Sequence, residues 1–169
     1  DDDMIAEDDL FEKLVALQKD IVAPLAFTRN FPHKPVMYSC LSGWDAVAQR
    51  DTFTNFAVMK YPRNKLVECD AVGFGAVLIN VNCFRKMPQP WFMNPNKTGE
   101  DISFCYEAKK YGFSTWMDTR IKLGHVSHPL IVTEDYVLAQ WERFGMEVDK
   151  RYGTPDKVDP LSAFLAEGK

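Results

Sequence analysis

The chain has 169 residues, 46% apolar and 26% charged, with 12 Phe, 6 Tyr and 4 Trp. That composition suits one packed domain, is short for two, and excludes wholesale disorder. Lys and Arg total 20 against 24 Asp and Glu, a formal net charge of -4, which argues against a nucleic-acid binder held by phosphate contacts.

The longest uninterrupted apolar stretch, residues 71–79, is too short to span a bilayer. The opening Asp1-Asp2-Asp3 is unlike a secretory leader, so a cytoplasmic protein is expected, read as a cut, tagged or partial chain because Met4 is not its first residue. Cys40, Cys69, Cys83 and Cys105 show no C-x-x-C pair and no histidine at zinc-finger spacing. Free thiols in a reducing compartment are expected ahead of a zinc site or two disulfides.

Leu10, Leu14, Leu17 and Ile21 recur at helical spacing, and Asp9 with Glu12 fits a capping box, so a helix is predicted over residues 9–19. Residues 21–28 read as a strand in which Pro24 marks an edge or a bulge. A loop at 31–35 leads to a short strand at 36–39, and residues 41–63, of weak periodicity, are predicted to hold little regular structure. Residues 66–71 form a strand; Gly73-Phe74-Gly75 then leads to 76–81, which periodicity leaves as helix or strand.

Three prolines around Trp91 and Phe92 make 87–97 a loop that offers aromatic residues to a surface. Gly99-Glu100-Asp101 opens a helix with Phe104, Ala108 and Tyr111 on one face and Gly112 beyond its end. Short strands follow at 114–118 and 121–125. Thr133 caps a last helix with Val137, Trp141 and Phe144 inward, and residues from 153 onward read as a loosely held tail with a short helix at 161–166.

Four groups of residues have chemical potential. Alternate carboxylates at Asp1 and Asp3 suit a hard divalent cation, although an acidic end is also an ordinary solvated surface. Glu100 and Asp101 at a helix start are either N-terminal anions stabilised by the helix or, for Asp101, a general base. His125, on a strand where Ile121, Leu123 and His125 alternate to one face, is either a hydrogen-bonded structural residue or the nitrogen ligand of a mixed oxygen and nitrogen site suited to Mn²⁺. Gly73 and Gly75 permit close backbone approach to a ligand or simply a tight turn. His33 and His128 are weaker candidates.

The order of these signals carries more than any one of them. Asp-x-Asp, then Arg29, Pro32 and Pro35 spaced as R-x-x-P-x-x-P, then Gly73-Phe74-Gly75, Pro90-Trp91-Phe92, Gly99-Glu100-Asp101-Ile102-Ser103-Phe104-Cys105, Asp118 and His125 form a series. It resembles the second half of glycosyltransferases with the GT-A fold, especially family-two enzymes of bacterial and phage type. The likeness covers residues 1–128 and is most specific over 98–125.

The resemblance implies an α/β fold at residues 1–150, the C-terminal part of a GT-A mixed sheet flanked by helices, with 151–169 as a C-terminal tail. It implies that Asp1 and Asp3 match the D-x-D motif, contacting the ribose and metal of a nucleotide-diphospho-sugar with Asp2 assisting. His125 matches the late metal-ligand histidine. Glu100 and Asp101 match the x-E-D motif, Asp101 being the base toward the acceptor, and Trp91, Gly73 and Gly75 fall where donor sugar and acceptor are contacted. The implied cofactor is Mn²⁺ or Mg²⁺, the donor a nucleotide-diphospho-sugar, and the acceptor a hydroxyl on a glycan, a lipid-linked group or another molecule. In such enzymes a nucleotide-binding β-α-β half precedes the D-x-D motif; it is missing here, so activity is expected of the parent protein rather than of this piece. The competing expectations are a metal-dependent phosphohydrolase using Asp1, Asp3 and His125, and a non-catalytic sugar- or protein-binding module.

Overall fold

A computed structural model describes residues 2–94, 97–127 and 130–146. The tail at 151–169, its expected helix at 161–166, Asp1 and His128 lie outside them. The architecture is mixed α/β. Its elements in chain order are β1 (Met4–Ile5), α1 (Leu10–Ala16), β2 (Ile21–Leu25), β3 (Met37–Asp45), β4 (Arg50–Ala57), β5 (Leu66–Cys69), β6 (Ala71–Val72), β7 (Leu78–Ile79), α2 (Val81–Lys86), α3 (Glu100–Lys110), β8 (Thr115–Lys122), β9 (Gly124–Ser127), β10 (Leu130–Val132) and α4 (Glu134–Arg143). The strands form three sheets, ordered β5-β8-β2-β7, β4-β3-β6 and β1-β9-β10.

The centre is β2, parallel to β8 on one side and antiparallel to β7 on the other. All five of its residues are buried, which explains its unbroken apolar run: both faces are covered. Ile21, Ala23 and Leu25 face the main core with Phe104, Met117, Val137 and Trp141, while Val22 packs with Leu14 and Ile121 under α1. Pro24 therefore sits in a central strand rather than at an edge. The structure accommodates it by a bulge: Pro24 pairs with Asp118 but Leu25 with Lys122, and β7 has already ended on the other side. The predicted break after residue 118 marks that bulge, so 114–118 and part of 121–125 join into the single strand β8, and His125 lies within β9.

Several expectations are corrected. The Asp9 side chain makes no cap hydrogen bond, so the capping box is absent; Asp9 pairs with Lys13 at 3.0 Å, and the helix runs over Leu10–Ala16. The stretch 41–63 contains most of a long antiparallel hairpin, β3 with β4. The predicted strand 66–71 divides at Asp70 into β5 and β6, which join different sheets. Residues 76–81 hold the two-residue β7, and Asn80 then caps α2, its side chain accepting from Asn82 N–H at 2.9 Å. Tyr111 and Phe144 follow the last turns of α3 and α4 and are 41% and 59% exposed, whereas Phe104, Ala108, Val137 and Trp141 are buried as expected. Thr133 caps α4 as predicted, accepting from Tyr136 N–H at 3.3 Å.

All four cysteines are free. Burial pushes the Cys40 and Cys83 thiols up to about 11 and Cys105 to about 12, which makes them poor nucleophiles at neutral pH.

Candidate functional site

The two-residue β1 pairs antiparallel with β9, Met4 opposite His125. Val126 N–H adds a bond to the Asp3 carbonyl at 2.8 Å. This pairing brings Asp3, far away in sequence, against the His125 ring, with Nε2 3.3 Å from Asp3 Oδ2. His125 Nδ1 lies 2.7 Å from the Phe27 carbonyl at the exit of β2. A carbonyl can only accept, so Nδ1 carries the proton, and in the neutral ring the lone pair is on Nε2, facing Asp3. A backbone carbonyl that fixes the outer nitrogen is the usual support of a metal-binding histidine.

Arg29 Nη1 approaches the same Asp3 oxygen at 3.1 Å, a residue that the sequence offered only as part of a loop motif. Asp3 Oδ1 is buried without a hydrogen-bond partner, so this carboxylate has acceptor capacity that nothing in the described protein uses. The separation of 3.3 Å between Nε2 and Oδ2 suits neighbouring ligands on one ion, since two bonds of about 2.1 Å at right angles put their donors about 3 Å apart. Among the described residues no group of three or more His, Cys, Asp and Glu side chains could hold a metal. Asp3 and His125 are thus two candidate ligands, one with a carboxylate oxygen unused, and Asp2 is exposed.

His125 also lines a cleft of about 210 Å³ together with Gly73, Gly75, Glu100 and Asp101. Five residues singled out from three separate segments therefore share one concavity. Met4 belongs to it too: an added Cβ on Gly75 would come within 3.2 Å of the Met4 sulfur, and one on Gly73 within 3.0 Å of Val36 Cβ. Close packing keeps these two positions small.

Asp101 stands in the first turn of α3, where Oδ1 accepts from Ile102 N–H at 2.7 Å. Burial pushes its carboxyl upward from the ordinary value, opposed by the N–H of Ile102; Glu100 beside it adds to the rise and the Phe74 N–H opposes it. The result is a carboxylate more basic than an exposed aspartate, as general base work requires. Tyr38 is close enough that the Asp101 charge adds to burial in pushing its phenol up. Sequence reading missed Tyr38 and Met4 because each comes from a strand whose pairing was not foreseen, and it named Arg29 without placing it on Asp3.

Gly99 controls this turn. Its φ is +109°, and an added Cβ would lie 2.5 Å from Asp101 Oδ1. Gly99→Ala is expected to lower stability in urea unfolding by about 1–3 kcal/mol, the usual cost of a strained backbone, and to shift the Ile102 amide resonance. Gly112, with φ +83° and open space around it, is the control: alanine there strains the backbone without moving Asp101.

The remaining candidates lie elsewhere. Trp91 lines a second cleft of about 230 Å³ with Phe53 and Tyr106, and its Nε1 donates to the Met87 carbonyl at 3.0 Å. The expected contribution of Trp91 to the same site as Asp101 is therefore not what the structure places there; its loop neighbour Phe92 instead stacks on Phe104 and touches Phe74, which does line the Asp101 cleft. His33 is buried, with Nδ1 3.0 Å from the Thr28 carbonyl and its ring edge-on to Tyr136, a structural role. A larger cleft of about 410 Å³ lies by the Asp70–Lys109 ion pair and contains none of the predicted residues.

No family model and no curated protein matches the chain. Among solved structures it is similar to the crystal structure of A197 from STIV, at 19% identity and a TM-score of 0.54, over 80% of this chain and 60% of that one. The likeness is one of fold. This chain spans about 60% of the length of the protein it matches.

Proposed function

We propose that this chain is the C-terminal part of a GT-A type, metal-dependent, inverting glycosyltransferase that moves a sugar from a nucleotide-diphospho-sugar to an acceptor hydroxyl. The observation that carries the reading is the meeting of Asp101, His125 and the Gly73–Gly75 backbone in one cleft, with Asp3 packed on His125. The order of motifs along the chain supports it independently.

Asp3 and His125 Nε2 would hold Mn²⁺ or Mg²⁺, with phosphate oxygens and water to complete the shell. When bound, the ion supplies positive charge to the departing diphosphate. Arg29 brings a second positive charge to the same edge and is suited to a phosphate oxygen. Asp101, with Oδ1 held by the Ile102 N–H and the carboxylate also bonded by the Phe74 N–H, would take the proton from the acceptor hydroxyl as that oxygen attacks the anomeric carbon. Attack from the face opposite the diphosphate inverts the carbon. The Gly73–Gly75 segment lets the sugar approach the backbone, and the cleft walls orient it.

Metal binding gives the direct test. Titrating Mn²⁺ into the protein and following water-proton relaxation is expected to show one site, weakened at least tenfold by Asp3→Asn and by His125→Ala, because loss of a ligand costs no less than loss of an outer-shell partner. Mn²⁺ affinity unchanged in both variants would overturn the reading. With Mn²⁺ and nucleotide-sugars, transfer to an added acceptor is expected of the parent protein that carries the nucleotide-binding half; phosphate release from simple phosphoesters would instead identify a phosphohydrolase.

A further inference from the structure

The lining of the Asp101 cleft is one-sided in charge. Glu100 and Asp101 contribute two carboxylates, and no Lys or Arg is among the described residues that form its wall. Arg29, the cation described above, is engaged on Asp3 and is not part of that wall. Apart from His125, whose Nε2 faces Asp3, the remaining surface is small or apolar, with Gly73, Gly75, Ala76, Phe74 and Leu123 among its residues. Its volume of about 210 Å³ is below the roughly 300–1,000 Å³ of sites for drug-sized ligands, which leaves room for one sugar ring rather than two.

We infer that the cleft receives a single uncharged pyranose, and that Glu100 and Asp101 turn away sugars that carry a carboxylate, such as hexuronates; this rests on the glycosyltransferase reading of the same cleft. The recognition chemistry follows from the wall. Carboxylate oxygens are acceptors for sugar hydroxyls. Phe74, a lining residue whose ring packs edge-on with Phe92 and Phe104, adds apolar surface suited to the C–H side of a pyranose.

Discrimination comes from repulsion. Asp101 is half-buried and already feels the charge of Glu100. In the metal-free protein a third carboxylate brought into the cleft meets two like charges with no Lys or Arg among the described wall residues to offset them. Such an element rejects the wrong sugar without adding affinity for the right one, so neutral sugars of different stereochemistry are expected to be separated less sharply than neutral from acidic ones.

The test is an amide NMR titration of the protein, without metal, using methyl glucoside, methyl N-acetylglucosaminide and methyl glucuronide as probes. The resonances read are Gly73, Gly75 and Ile102. Both neutral glycosides are expected to shift them, and the glucuronide to bind at least tenfold more weakly at neutral pH. Glu100 is exposed, so Glu100→Gln should fold normally, and it is expected to narrow that ratio at least threefold. Equal binding of glucuronide and glucoside, a ratio unchanged in Glu100→Gln, or no shift from any of the three sugars would overturn the inference. If Mn²⁺ binding fails while the ranking of sugars holds, the transferase reading falls and the neutral-sugar cleft stands; Mn²⁺ binding with the ranking reversed removes only the inference.

Discussion

Asp101→Asn is expected to lower sugar transfer by the parent protein about 10²- to 10⁴-fold, the usual contribution of a positioned base, while Mn²⁺ binding is retained. Asparagine keeps an oxygen that can accept from the Ile102 N–H, now bonded to Oδ1 at 2.7 Å, so the helix start survives. What it loses is the ability to take a proton. The expected stability change has the opposite sign. Burial raises the Asp101 carboxyl above its ordinary value of 3.8, so the folded state holds that proton more tightly than the unfolded chain does. Its favourable contribution is therefore present at low pH and is lost as pH rises through the raised value; at pH 7 the ionised group is a cost that asparagine removes. A melting temperature at pH 7 equal to or above that of the unmodified protein, together with lost transfer, is the expected pair of results. The acid limb of the transfer rate should likewise lie above the ordinary aspartate range. Unfolding of Asp101→Asn, or full activity in it, would show that the carboxylate is a structural cap and no base.

Glu134→Ala is expected to have the largest effect on stability, about 3 kcal/mol in urea unfolding. The Glu134 side chain is only 2% exposed and is the common partner of three groups. Tyr61 donates its hydroxyl to Oε1 at 3.0 Å, Arg63 Nε lies 3.3 Å from the same oxygen, and Lys122 pairs with Oε2. Burial, then the Glu134 charge, pushes the Tyr61 phenol far above its ordinary value. Removing one partner of a buried ion pair costs about 3–5 kcal/mol. The low end applies because the Lys122 and Arg63 side chains are 40% and 24% exposed and can turn to water, which leaves the buried Tyr61 hydroxyl as the main unpaired group.

The position of this cluster links it to the site. It joins the start of α4, the 61–63 loop and the end of β8, just before β9 carries His125 into the cleft. Adding Tyr61→Phe to Glu134→Ala is expected to cost less than Tyr61→Phe alone, since the hydroxyl has then already lost its acceptor. A loss below about 1 kcal/mol for Glu134→Ala would refute this account of how α4 is attached.

Much of the fold was legible wherever an element writes its own ends or buries a regular face. Gly99 and Gly112 bracket α3, Thr133 caps α4, and the apolar spacing of Leu10, Leu14 and Leu17 marks α1 because that face packs on β2 and β7. The β3–β4 hairpin was not legible for the converse reason. Leu41, Trp44 and Phe56 are 64%, 63% and 52% exposed, so no buried face imposes alternation. Its turn is organised by the Asp45 carboxylate accepting from Val47 and Ala48 N–H rather than by a glycine pair.

The candidate site divides along the same line. By itself the sequence determined which groups are available: carboxylates at the opening, Gly73 and Gly75, an acidic helix start at Glu100 and Asp101, and a histidine on a β segment. Those identities and their order are local, set by residue chemistry and by signals a few positions apart. Only the tertiary structure decided which of them meet. Pairing of β1 with β9 sets Asp3 on His125, the Phe27 carbonyl fixes the ring's tautomer, and the cleft gathers Gly73, Gly75, Glu100 and Asp101 while leaving Trp91 in another. Such encounters depend on strand register and on the bulge at Pro24, which are properties of the whole packed core, and no window of neighbouring residues records them.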